Sequence, residues 1–254
     1  MFKSFTTSQT KPTSYREEIV ARKRLYRPYV TDGLKVYYDF ANRASQQSGI
    51  ARAFNLAGDD ATAIHANGPV YTPNGNMTYM SYDAVDDLSR LYYDNAPDTT
   101  ATTIEMITAI KGSGGMMVGT YSYGIWILNG NMGINTGRGD ARGLYSSELT
   151  NLGVSMSDGS NFNHYAFVFT DDPYDAKMYI NGVDRTTQTF VAGSAHNSPA
   201  ATDISTKSDW RIADWANGGQ NSNINVAEFK LYDRELSARE VAYNYGVAKS
   251  RKGV

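Results

Sequence analysis

Between Asn223 and Lys252 the chain sets out a strand, a tight linker and a capped helix in direct succession. In NINVAEFKLYDRELSAREVAYNYGVAKSRK, Ala227, Phe229 and Leu231 alternate with Val226, Glu228, Lys230 and Tyr232. That period of two suits a strand lying on a core. Ser237 and Glu240 stand at capping-box spacing, where each side chain can satisfy an orphan amide of a new helix. Val241, Tyr245 and Ala248 then fall along one helical face, so the helix can dock rather than float.

Two other segments carry strand patterns. DGLKVYYDFAN (Asp32 to Asn42) puts Leu34, Val36, Tyr38 and Phe40 on one face. NHYAFVFTDDPYDAKMYINGV (Asn163 to Val183) reads as strand, polar turn, strand and an Asn181-Gly182 hairpin turn. Further strands are expected near Thr102–Lys111, Met116–Tyr121, Gly124–Leu128, Met132–Asn135, Val154–Met156, Thr187–Val191 and Asp209–Ala213. Asn129-Gly130 separates two of them as a hairpin signal. Asn135 to Leu149, Ala192 to Lys207 and Trp215 to Asn225 read as loops. With 254 residues, 41% of them hydrophobic, one large core can be buried, and 23 Gly with 19 Tyr agree with many strands and turns. The absence of cysteine excludes a disulfide scaffold and thiolate metal sites. No solenoid or propeller repeat is visible.

Together these motifs resemble the laminin G-like, concanavalin A-like lectin/glucanase superfamily, in the version found in bacteriophage virion proteins. AFNLAGDDATAIHANGPVYTP (Ala53 to Pro73) resembles that family's opening loop, with Asn67-Gly68-Pro69 and Tyr71 well matched. Asn163-His164-Tyr165-Ala166, Tyr179-Ile180-Asn181-Gly182 and the run Tyr232 to Val241 match its later motifs, in order. The resemblance implies an all-β fold: a two-sheet antiparallel jelly-roll sandwich over 32–254, with a short C-terminal helix and an extended or helical N-terminal arm over 1–31.

The arm has seven basic residues against Glu17 and Glu18, a balance of +5 that leaves −7 for the rest of a chain of net charge −2. Ser14 and Glu17 form a second capping box, and a short helix is expected to run to about Tyr26 before Pro28. Tyr15, Ile19 and Tyr26 share a face with the stem of Arg22, a stripe too narrow for an independent core. The arm either folds back on the acidic domain or anchors the chain to another subunit. The resemblance to virion proteins favours anchoring through Tyr15, Arg16, Ile19, Arg22, Lys23, Arg24, Tyr26 and Arg27. MFKSFTTSQTK offers no apolar signal-peptide core, which favours assembly in a host cytoplasm and release as part of a virion. Neither a nucleic-acid surface nor a membrane span is expected.

The carboxylates decide whether glycoside hydrolysis is expected. Glycoside hydrolysis needs two of them about 5–9 Å apart across the scissile bond, and the family's hydrolases carry a Glu-x-Asp-x-x-Glu signature. None of Glu17, Glu18, Glu105, Glu148, Glu228, Glu235 and Glu240 begins that pattern, and Glu105 is expected alone at the sheet surface. His65, His164 and His196 lack metal-ligand spacing, and no nucleophile elbow or phosphate loop occurs. The chain is therefore expected not to be an enzyme and to need no cofactor. The resemblance implies calcium in some members, and Asp158, Asp171, Asp172, Asp175, Asp203 and Asp214 could supply oxygen ligands for it, without EF-hand spacing.

Sugar recognition uses an aromatic face for the apolar side of a pyranose ring and amides for its hydroxyls. Trp215 with Asn217, Gln220 and Asn221 offers both close together, and Trp126 is a further candidate. Trp210 is expected in the core. The expected role is a virion structural protein, a capsid decoration or a fibre or tail appendage. Its partners would be other virion proteins and host-surface polysaccharide, met in many copies. A free lectin module and a polysaccharide depolymerase are the alternatives.

Overall fold

The structure, a computed structural model, describes residues 29–46, 48–58, 61–112, 114–120, 123–128, 130–136, 140–144, 146–170, 176–186, 209–214 and 219–254, except 94–101. The strands are β1 (Leu34–Asp39), β2 (Arg52–Phe54), β3 (Ala61–Ala66), β4 (Val70–Thr72), β5 (Tyr79–Ser81), β6 (Leu88–Tyr93), β7 (Thr102–Ile110) and β8 (Met116–Gly119). They continue as β9 (Tyr123–Leu128), β10 (Asn131–Thr136), β11 (Asp140–Leu144), β12 (Asn163–Phe169), β13 (Lys177–Ile180), β14 (Val183–Asp184), β15 (Asp209–Ile212) and β16 (Ile224–Tyr232). Two α-helices, α1 (Ser146–Asn151) and α2 (Ala238–Lys252), and a 3-10 turn at Gly75–Met77 complete the described elements.

These strands form two eight-stranded antiparallel sheets. The first runs β14-β13-β12-β7-β16-β5-β4, with β1 also pairing with β16; the second runs β11-β10-β9-β8-β15-β6-β3-β2. They pack face to face over one core. Val36, Tyr38, Met106, Phe167, Phe229 and Leu231 come from the first sheet; Leu91, Ile125, Ile134 and Trp210 come from the second. The two-sheet antiparallel sandwich expected for 32–254 is therefore present, and Trp210 lies in its core.

Asn181 and Gly182 both have positive φ, 51° and 74°, which makes the tight turn joining β13 to β14. At α2 the capping box is complete: Ser237 accepts from the Glu240 amide while Glu240 accepts from the Ser237 amide. Gly253 ends the helix in the left-handed region at φ 79°. Helix α2 lies on the outer face of the first sheet, burying Val241, Asn244 and Ala248.

Several expectations change. Val154–Met156 is not a strand but part of the loop after α1, where the Val154 amide closes onto Leu149. The stretch 135–149 holds the end of β10, then β11 and α1, rather than one long loop. Strands β2 to β4 occupy the 53–73 stretch that was expected to be a loop, and β5 and β6 follow where no element was expected. Residues 1–28, which contain Tyr15, Arg16, Ile19, Arg22, Lys23, Arg24, Tyr26 and Arg27, and the expected strand 187–191 lie outside the described residues.

Candidate functional site

On the outer face of the first sheet, the sequence places polar side chains on the strand positions that alternate with the core. Helix α2 covers them. Glu105 is fully buried there, not at the surface as expected, because α2 roofs the sheet; Asn244 donates to it at 2.9 Å. His164 lies beside it, Nε2 3.6 Å from the carboxylate. Nearby, Lys230 Nζ is 3.0 Å from Glu228, Arg251 is 2.9 Å from Asp39 and Lys252 is 2.8 Å from Asp39, all at or near full burial except the half-buried guanidinium. Tyr29 donates to Glu228 at 2.8 Å, and the Lys230 amine sits 3.7 Å over the Tyr29 ring. Burial pushes the Glu228 carboxyl up, but Lys230, Lys252 and Arg251 outweigh it and hold its pKa at about 2. These acids face a docked helix and act as its fastening.

The opposite situation holds where β15 gives way to β16. Asp214 accepts from Arg211 at 3.0 Å and from the Gln220 amide at 3.4 Å. The Gln220 carbonyl accepts from the Met116 amide at 2.7 Å, and Asn221 Nδ2 donates to the Asp87 carbonyl at 3.3 Å. Gly115, at φ 88°, is needed because a Cβ would collide with the Asn221 carbonyl. Both ends of the loop predicted for sugar contact are thus clamped, leaving Gln220 exposed and Asn221 half-buried. Trp215 and Asn217 lie outside the described residues. Trp126 is 8% exposed on the outer side of β9, its indole lying over Gly133 of β10. The arrangement gathers amide, carboxylate and guanidinium groups at one end of the sandwich, a set able to exchange hydrogen bonds with hydroxyls.

Sequence reasoning passed over two neighbouring features. Asp83, Asp86 and Asp87, in the β5–β6 loop, bring carboxylate oxygens within 4.8 Å of one another, a spacing a hard cation can bridge. Burial, then the charges of Asp83 and Asp86, raise the Asp87 carboxyl. Of the aspartates considered for calcium, Asp214 is held by Arg211, and Asp158 accepts from Ser160; Asp171, Asp172, Asp175 and Asp203 lie outside the described residues. The second feature is a small cleft in which Tyr79 and Phe162, 5.4 Å apart, are flanked by Asn74 and Ser160. It draws on three separate turns, so no local sequence signal announces it. No helix among the described residues is long and apolar enough to cross a membrane.

Two antiparallel sheets stacked over a single core define a lectin-type sandwich. The chain belongs to the concanavalin A-like lectin/glucanases superfamily, whose laminin G-type model matches residues 90–242. No curated protein matches the chain in sequence. Among solved structures it is similar to the receptor binding domain of botulinum neurotoxin C/D mosaic serotype, at TM-score 0.61 and 12% identity, covering 86% of this chain and 52% of that one. It is also similar to Trypanosoma rangeli sialidase in complex with sialic acid, at TM-score 0.57 and 12% identity, covering 86% of this chain and 33% of the sialidase. The chain thus spans about a third of the sialidase and half of the toxin fragment. The sialidase likeness corrects the expectation that this chain is not an enzyme. Its fold also occurs within an enzyme's chain, so a missing Glu-x-Asp-x-x-Glu signature does not exclude activity. At 12–13% identity the likeness concerns the fold and assigns no reaction.

Proposed function

We propose that the chain is a virion surface subunit that contacts host glycans, held on the particle by its N-terminal arm. One observation carries the glycan part of this reading. The first sheet is closed off by α2, whereas at the end of the other sheet Gln220 is exposed, with its backbone amide held by the Asp214 that also pairs with Arg211. A sandwich of this kind occurs in a toxin's receptor binding domain and in a sialidase that holds sialic acid, which is compatible with a host-facing, sugar-contacting role. The virion part rests on the resemblance of the 53–73, 163–183 and 232–241 motifs to phage structural proteins, and on the basic balance of residues 1–31 against an acidic remainder. Many copies on one particle would multiply weak sites into useful avidity.

The test has two arms. Full chain is applied to an array of bacterial surface polysaccharides, and Trp215→Ala and Gln220→Ala are expected to lose the signal. A chain lacking residues 1–31 is expected to fail to join particles when supplied during assembly. Array silence from the full chain overturns the glycan reading, and full incorporation of the shortened chain overturns the anchoring one.

A further inference from the structure

Where α2 ends, the outer face of the first sheet keeps a cleft of about 180 Å³. Tyr79 of β5 and Phe162, one residue before β12, give it an aromatic lining. Three segments wall it. Asn74 comes from the 3-10 turn, where its carbonyl accepts from the Met77 amide at 2.9 Å and its amide donates to Thr78 at 3.0 Å. Gly159 and Ser160 come from the loop before β12. Asn225 donates to the Gly159 carbonyl at 2.8 Å, and Asp158 accepts from the Ser160 amide and hydroxyl at 2.9 and 2.6 Å. A Cβ at Gly159 would collide with the Lys111 side chain, so glycine lets this loop lie down on the sheet. Gly253 caps α2 at the third wall. Each wall is fixed by its own hydrogen bonds, so the cleft is formed before a ligand arrives.

The charges around it have one sign. A helix of 15 residues turns its last carbonyls and the negative end of its dipole toward Gly253, whose amide satisfies only the Lys249 carbonyl. The basic residues of that last turn point elsewhere, Arg251 and Lys252 to Asp39 and Lys249 toward the Tyr245 ring. No basic side chain lines the cleft, and Lys111, behind Gly159, gives its ammonium to Ser81 at 2.7 Å. Asp158 adds a carboxylate beside Ser160. Under α2, tyrosine rings already hold cations: Lys230 Nζ lies 3.7 Å from the Tyr29 centroid and 5.4 Å from that of Tyr37. The Tyr79–Phe162 rings are 5.4 Å apart and inclined at 48°, and no cation of the described residues faces them. One cation can lie within about 6 Å of both centroids, the range over which an aromatic face attracts it.

We infer that this cleft takes a compact organic cation, a guanidinium or alkylammonium group, its charge against Tyr79 and Phe162 and its N–H groups on Asn74, Ser160 and the last carbonyls of α2. The site shares no lining residue with the 214–221 loop and goes beyond the glycan reading. An anion would face the negative end of α2 and Asp158. A neutral group of equal size would gain the packing without the charge attraction. The cleft is smaller than pockets that hold a drug-sized ligand, which suits a single head group.

The probes are methylguanidinium and n-butylammonium, with methylurea and n-butanol as neutral counterparts of similar shape, each titrated onto the full chain by saturation-transfer NMR. Each cation is expected to bind at least about fivefold more tightly than its counterpart, and less tightly as salt rises. Asn74→Lys brings the protein's own ammonium to the cleft from an exposed position and is expected to weaken both cations at least about fivefold. Phe162→Leu keeps an apolar contact with Tyr79 while removing one aromatic face, and a loss of similar size is expected. Circular dichroism melts confirm that the variants fold; where Phe162→Leu does not, Asn74→Lys decides. Equal binding of cations and neutral counterparts, unchanged binding in Asn74→Lys, or no binding of either cation overturns the inference.

Discussion

Replacing Lys252 with methionine removes one charge from beneath α2 while keeping the length of the side chain. The ammonium lies 2.8 Å from Asp39 Oδ1 and 3.5 Å from Glu228 Oε1, and the side chain is 2% exposed. Breaking a buried pair by deleting one partner costs roughly 3–5 kcal/mol, because the other charge stays in a poor solvent. Here the deficit is shared. Arg251 remains 2.9 Å from Asp39 and Lys230 remains 3.0 Å from Glu228, so the low end, about 3 kcal/mol, is expected. Methionine retains the apolar stem, so little of the loss is packing. Equilibrium urea unfolding of the full chain, followed by tryptophan emission, measures it. The double variant Asp39→Asn/Lys252→Met removes both members and is expected to cost at least about 1 kcal/mol less than the sum of the singles. A single-variant loss below about 1 kcal/mol, or simple additivity, would refute the claim that these charges are sealed from water and coupled.

Two further perturbations test other parts of the frame. Burial lowers the His65 pKa from 6.5 to about 4, with Ser89 at 2.6 Å and Gln46 at 2.9 Å on its two ring nitrogens. A depressed value means that the unfolded chain binds the proton first. The stabilising contribution is thus complete above pH 6.5 and is lost as pH falls through 4, amounting to at most about 3 kcal/mol. His65→Gln should flatten that slope; if wild type minus variant is constant between pH 7 and 4, the imidazole is not held neutral. Gly133→Ala would drive a Cβ into the Trp126 indole, with an overpacking cost of about 1–3 kcal/mol and a shifted emission maximum. Unchanged emission and melting would show that the ring is not seated on that glycine.

How much of this was legible depended on the length of each local signal. Strands β7, β12 and β16 run seven to nine residues, and their apolar alternation stands clear of the turns around them. The Ser237–Glu240 cap is equally local, since both partners lie within one turn. Strands β2, β4 and β5 have three residues each, too few for any period to declare itself. Arg90 and Arg211 are far apart in sequence and become cross-strand partners only through register. Glu105 failed for another reason. Alternation correctly put it on the outer face of β7, but whether that face meets water is decided by a helix more than a hundred residues later.

That helix also explains why the two outer faces can carry such different chemistry. A cation and a carboxylate can share a buried face when each is satisfied by a partner of opposite sign, and α2 brings Arg251 and Lys252 to Asp39 and Glu228 for that purpose. The outer face of the second sheet is uneven instead: Trp126 is buried against Gly133 at one end, whereas Ile64 is 39% exposed and Arg52 exposed at the other. Asp214 joins the sheet face to the clamped loop, touching Arg211 with one oxygen and the Gln220 amide with the other. A ligand drawing Arg211 away from Asp214 would loosen the Gln220 anchor, whereas one reinforcing the pair would hold the loop in place. Sheet face and loop are therefore one surface mechanically, and substitutions at either should change the response of the other.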